Sequence, residues 1–196
     1  MAVKLYIMSE PSILSYIYNL KFVLNQDHTN YLAEKSRLIA QIISQTHFQN
    51  KLIAIIGNGG SAADAQHWVG ELVCTYQSPD RLPIAATSLT CNTSILTAWA
   101  NDRSYDEIFE RQISALSSSL GLVIGLSTSG KSNNILQGLQ QAKKSSICTV
   151  LISGNQFKIE HDYIDHLITI QSTSTPIIQT ITQIFYHSVC QELECL

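Results

Sequence analysis

The stretch LIAIIGNGGSAADAQHWVGELV, residues 52–73, decides the fold. Its first six residues form a short apolar run closed by glycine, the pattern of a buried parallel strand. Gly57, Gly59 and Gly60 then allow a tight turn and close approach of a ligand. From there the apolar positions recur at helical spacing. A strand running through glycines into a helix leaves backbone N–H groups free at a helix N-terminus, where anions bind. Without a ligand, the same letters describe a helix start in which Ser61 caps and Asp64 follows three residues later.

Downstream the alternation continues. Strands are expected at 83–88, 121–127, 147–154 and 166–172, and helices at 93–100, 105–116, 133–143 and 176–194, the last with proline in its first turn. Upstream, Ile13, Leu14, Ile17, Leu20, Leu32, Leu38, Ile39, Ile42 and Ile43 follow helical spacing, with a break near 25–28. The expected architecture is α/β: a three-layer sandwich in which helices cover both faces of a five-stranded parallel sheet. Residues 1–50 form an N-terminal helical arm, which packs in an oligomer, and residues 51–196 the domain proper. Nothing reads as a linker or a repeat.

Composition narrows the function. Of 196 residues, 45% are hydrophobic, so a folded core is expected, and 14% are charged, about half the usual share. So few charges suggest a surface partly covered by other subunits. A net charge of −3 with 12 Lys and Arg offers no attraction for nucleic acid. Five cysteines without a C-x-x-C pair read as reduced thiols. No leading apolar run or long hydrophobic stretch suggests secretion or a membrane span, so the expected location is the cytoplasm.

A second loop, GLSTSGKS at residues 125–132, satisfies the phosphate-binding pattern G-x-x-x-x-G-K-[ST] of nucleotide-binding enzymes. The context argues against that reading. The loop follows the third strand, Gly125 lies between the apolar Ile124 and Leu126, and no strand ending in aspartate supplies a magnesium site. Its hydroxyls, on Ser127, Thr128, Ser129 and Ser132, suit a phosphate monoester instead, with Lys131 incidental. On the helix after the first loop, His67 and Glu71 stand at i and i+4, on one face, able to share a metal or act as an acid/base pair. A solvated helix pair is the plainer alternative. On the last helix, Gln179, Gln183 and His187 form a polar stripe in an apolar setting. His28, His47, His161 and His166 read as surface or structural.

With these motifs assembled, the chain resembles the sugar isomerase (SIS) domain superfamily and, within it, the phosphoheptose isomerases. The likeness runs from about residue 52 to the C-terminus through GNGGSAADAQHWVGELV, TSILTAWANDRSYDEIFERQISAL, GLSTSGKSNNILQGLQQAK and the His187 helix. It implies the SIS fold, a homotetramer with active sites at subunit interfaces, and conversion of sedoheptulose 7-phosphate to D-glycero-D-manno-heptose 7-phosphate for lipopolysaccharide. Ser127, Thr128, Ser129 and Ser132 would grip the phosphate. Asn58, Gly59, Gly60, Ser61, Asn101, Asp102, Glu71 and Gln179 would bind the sugar. Glu71 and His187 would carry protons between C1 and C2 through an enediol. His67, Glu71, Gln179 and His187 match the family's zinc ligands. Yet about 12 Å of helix rise separates Gln179 from His187, and Gln183 is nearer on spacing.

The chain departs from the family at Thr75, where arginine is usual, at Asn92, where aspartate is usual, and at Pro176, where the family reads Asp-Arg or Ala-Arg before Ile-Gln. These changes bear on which sugar is bound. On the same scaffold, a non-catalytic protein that binds a phosphosugar or the replication initiator is the rival expectation. His187 favours the enzyme.

Overall fold

The computed structural model describes residues 12–155 and 161–196. Five strands form one parallel sheet: β1 (Leu52–Gly57), β2 (Ala86–Ser88), β3 (Leu120–Leu126), β4 (Cys148–Gly154) and β5 (His166–Ile170), in the order β2-β1-β3-β4-β5. The helices are α1 (Ile13–Val23), α2 (Gln26–Phe48), α3 (Gly60–Val73), α4 (Thr93–Asp102), α5 (Ile108–Leu116), α6 (Asn133–Lys144) and α7 (Thr175–Leu193).

Alternation along each strand feeds two cores. Ile53 and Ile55 of β1, with Leu122 and Ile124 of β3, face α2, α3 and α7. Ala54 and Ile56, with Val123 of β3, face α5 and α6. This is the three-layer sandwich expected from the sequence, and α2 belongs to it: Leu32, Ile39, Ala40 and Ile43 sit in the first core beside Phe185 and Tyr186 of α7.

Element limits differ where local chemistry overrides pattern. Of the expected strand at 83–88 only Ala86–Ser88 pairs, against Ile53 to Ile55. The segment at 105–116 opens with a 3-10 turn, Tyr105–Glu107, whose first N–H groups are served by Ser104. The arm breaks at Leu24, and Asn25 caps α2 by accepting the His28 N–H at 3.0 Å. No described helix is long and apolar enough to cross a membrane.

The strand order places the site. The chain leaves β1 for β2 on one side and then returns to β3 on the other. The switch point lies between β1 and β3, whose ends Gly57 and Leu126 are in register. Ligands of open parallel sheets bind in the crevice beyond the carboxyl ends at such a point. Both glycine-serine loops leave from there.

Candidate active site

The first loop is shaped by Gly57 and Gly59. A Cβ on Gly57 would lie 2.4 Å from the Ser61 carbonyl oxygen, and Gly59 has φ of +54°. Gly59, not Ser61, caps α3, and no side chain bonds its first N–H groups. Ser61 lies inside the helix and is buried, so the expected capping role falls to glycine geometry.

The second loop turns at Gly130, φ +68°, whose N–H donates to the Ser127 carbonyl at 3.0 Å. The Ser127 hydroxyl donates to Ser132 Oγ at 3.0 Å, and the Lys131 N–H donates to Ser129 Oγ at 3.1 Å. The Thr128 carbonyl accepts the N–H of Gly154 and so pins the loop to the end of β4. Ser132 occupies the N-cap of α6 without capping it through its side chain. Two helix N-termini whose N-cap residues make no side-chain cap therefore flank one crevice, and serine hydroxyls line the second, a setting that suits a phosphate ester. Gly125 lies within β3, where a Cβ would meet Ile135 at 2.8 Å, so it belongs to helix–sheet packing and not to the turn.

A polar network that the sequence reading missed joins the two loops. Asn58 and Asn134 exchange amide hydrogen bonds, the Tyr105 hydroxyl donates to Asn58 Oδ1 at 3.0 Å, and Asn134 Oδ1 accepts the N–H of Ile135. Asn134 lies two residues after the last loop serine, and it is almost fully buried. A buried amide must have partners, and the two loops supply them here, but no sequence signal marks the pairing. Asn101 and Asp102 end α4 in an exposed position, with the Asn101 amide donating to Asp102 Oδ1 at 2.9 Å.

Along α3 and α7 the structure brings together His67, Glu71 and His187. One potential ligand atom from each lies within 4.8 Å of the others. His67 Nε2 is 3.0 Å from Glu71 Oε1, and the His67 and His187 rings meet edge-on at 5.2 Å. Burial lowers the His187 pKa, His67 adds to the effect, and Glu71 opposes it. Burial also raises the Asp64 carboxyl, one turn before His67, while His67 pulls it down. Gln179 sits elsewhere on α7. Its side chain packs on Gly60, in a cavity of about 300 Å³ lined also by Tyr16, Asp64, Thr180 and Gln183. The cavity lies toward the start of α3, while His187 is two turns along α7, a helix rise of about 12 Å from Gln179.

Two further residues outside the sequence reading hold these helices. The guanidinium of Arg81 donates to the Glu71, Leu72 and Cys74 carbonyls at the end of α3, and it pairs with Glu194 after α7 at 3.8 Å. Glu194 also accepts the N–H groups of Gln77 and Ser78. Tyr76 lies against the His187 ring at 5.6 Å. Thr75, Asn92 and Pro176 are exposed, and the Asn92 side chain caps α4 by accepting the Ile95 N–H at 3.1 Å. Asparagine performs that cap as well as aspartate.

Comparison with known proteins identifies the family. The SIS domain family model matches residues 16–154. The phosphoheptose isomerase of Campylobacter concisus is 38% identical over 168 residues, 86% of this chain and 88% of that protein. The phosphoheptose isomerase of Synechocystis is 38% identical over 156 residues, 80% of each. The solved structure of a phosphoheptose isomerase from Neisseria gonorrhoeae superposes with a TM-score of 0.82 at 27% identity, covering 94% of this chain and 97% of that one. The chain therefore belongs to the phosphoheptose isomerases, aldose–ketose isomerases built on the SIS domain.

Proposed function

We propose that this chain interconverts sedoheptulose 7-phosphate and D-glycero-D-manno-heptose 7-phosphate, in the cytoplasm, toward the heptose of lipopolysaccharide. One observation carries the reading: α3 and α7 gather a carboxylate and two imidazoles, and α3 itself starts at a crevice flanked by two helix N-termini.

The division of labour follows from residue chemistry. Ser127, Thr128, Ser129 and Ser132, with the N-terminus of α6, hold the phosphate. Asn58, Gly59, Gly60, Ser61, Gln179, Asn101 and Asp102 line the sugar. Glu71, through the Oε2 that His67 does not engage, takes the proton from one carbon and returns it to its neighbour. His187, kept unprotonated near neutral pH by burial, moves the proton on the sugar oxygens.

Two imidazoles and one carboxylate fit zinc by donor type, with further positions open for substrate. His67, Glu71 and His187 would hold it, and Gln179 would join only through a rearrangement or from another chain. Bound there, zinc would polarise a sugar oxygen as a Lewis acid.

The working form is a homotetramer with sites at subunit interfaces. Supporting this, Ile13, Leu14, Ile17, Tyr18 and Phe22 of α1 are uncovered in the single chain, and α4 buries none of its residues. Light scattering coupled to gel filtration measures the assembly, and a monomer would overturn this part.

The test of function is direct isomerisation of sedoheptulose 7-phosphate by the purified protein, with and without zinc, followed by NMR. Aldoheptose formation that vanishes in Glu71→Gln and His187→Ala is expected. Folded protein that binds the ketose phosphate without turnover would overturn the reading.

A further inference from the structure

Tyr186 stands one residue before His187 on the buried side of α7, with no solvent exposure. A buried phenol requires a hydrogen-bond partner. Its hydroxyl lies 2.8 Å from Nδ1 of His67. The ring is held on three sides: stacked on Trp68 at 5.5 Å and 18°, edge-on to His67 at 5.4 Å, and edge-on to His187 at 4.8 Å. The hydroxyl therefore has a set position, and His67 is gripped from the side opposite Glu71.

The contact with Glu71 sets which His67 nitrogen carries the proton. Nε2 faces a Glu71 oxygen at 3.0 Å, and an ionised carboxylate only accepts. In the neutral ring, then, Nε2 carries the proton and Nδ1 accepts the Tyr186 O–H. A cation on Nε2 requires the other tautomer, with the proton on Nδ1. A carbonyl or carboxylate beside Nδ1 would favour that second form alone. A hydroxyl serves both, as donor in the first and acceptor in the second.

We infer that Tyr186 is a positioning residue: its hydroxyl holds His67 by Nδ1 in either tautomer and presents Nε2 to the junction of Glu71 and His187. The part concerning the cation rests on the proposed zinc reading, while the hydrogen bond to Nδ1 does not.

Tyr186→Phe tests this, because the ring and its packing on Trp68 remain. Zinc affinity of the full-length protein, measured by competition with a chromogenic chelator, should weaken about 10- to 100-fold while circular dichroism is unchanged. Long-range nitrogen–proton NMR of metal-free protein should show His67 as the Nε2–H tautomer in both proteins, with the Nδ1 resonance shifted in the variant by loss of the Tyr186 hydrogen bond. Equal zinc affinity in parent and variant, or identical His67 spectra, would overturn the inference. If the parent binds no zinc, the zinc reading falls and the metal-free spectra decide the Tyr186 bond by themselves. If the variant does not fold, the parent spectrum decides: a mixed or Nδ1–H population without metal defeats the inference.

Discussion

The side-chain amides of Asn58 and Asn134 bond each other in both directions, at 2.8 and 2.9 Å. This pair locks the loop after β1 to the start of α6, the two walls of the crevice at the switch point. Asn134→Ala leaves the Asn58 amide and the Ile135 N–H without their partner. A loss of about 1–3 kcal/mol is expected in urea denaturation, with a raised KM for the phosphosugar. Unaltered values of both would show that the loops are held by other contacts.

The Ser129 hydroxyl accepts a local N–H from Lys131, and in the proposed reading it also binds the phosphate. Ser129→Ala should weaken phosphosugar binding by roughly ten- to a hundredfold, the worth of one hydrogen bond to a charged group. Titration calorimetry with the substrate reads it. Inorganic phosphate should show the same relative loss.

A glycine at the end of β1 and one inside α3 should respond in opposite senses. Gly57→Ala drives a Cβ into the Ser61 carbonyl, and a cost of about 1–3 kcal/mol is expected, with loss of turnover as α3 shifts. Gly70 in α3 has open space at its Cβ position, so Gly70→Ala should stabilise by up to about 1 kcal/mol. Thermal melts and turnover of both variants provide the check.

His28 links the arm to the sheet. It is fully buried, and its Nε2 accepts the Gln171 N–H at 3.4 Å. Burial lowers its pKa from 6.5. The unfolded chain therefore binds a proton at a pH where the folded chain does not, so stability rises with pH in that window. Melting temperature should fall as pH drops below 6.5, and less steeply in His28→Gln. Parallel curves for both proteins would remove His28 from the acid response.

Chelation should abolish turnover, and added zinc should restore it. His67→Ala should lose zinc, measured by elemental analysis, as well as activity. Full activity in metal-free protein would leave Glu71 and His187 to act unaided.

The sheet and its layers were legible because period-two apolar runs and glycine-closed strand ends are written locally. The pairing of His67 with Glu71 was legible for the same reason, being one helical turn. Their meeting with His187 is not local: it depends on α3 and α7 packing side by side, and only the family resemblance anticipated it. Asn134, Tyr105 and Arg81 went unread because nothing in their neighbours reveals which distant groups they reach. Tyr186 was hidden differently. On an apolar stripe an aromatic letter reads as core, and its hydroxyl gains meaning only once His67 is placed opposite. Ser61 was read as a cap because its type suits one, whereas the φ of Gly59 moved the helix start by two residues.

Gly125 and Gly130 arise from unrelated demands, one to admit Ile135 against the sheet and one to allow a left-handed turn. The eight letters that imitate a nucleotide-binding signature are thus two independent inscriptions that happen to abut. A double replacement, Gly125→Ala with Ile135→Ala, which removes the Cγ2 that the new Cβ would strike, should erase the signature while leaving catalysis largely in place. Relatives drifting along that route would lose the textual likeness to nucleotide enzymes without any change of trade.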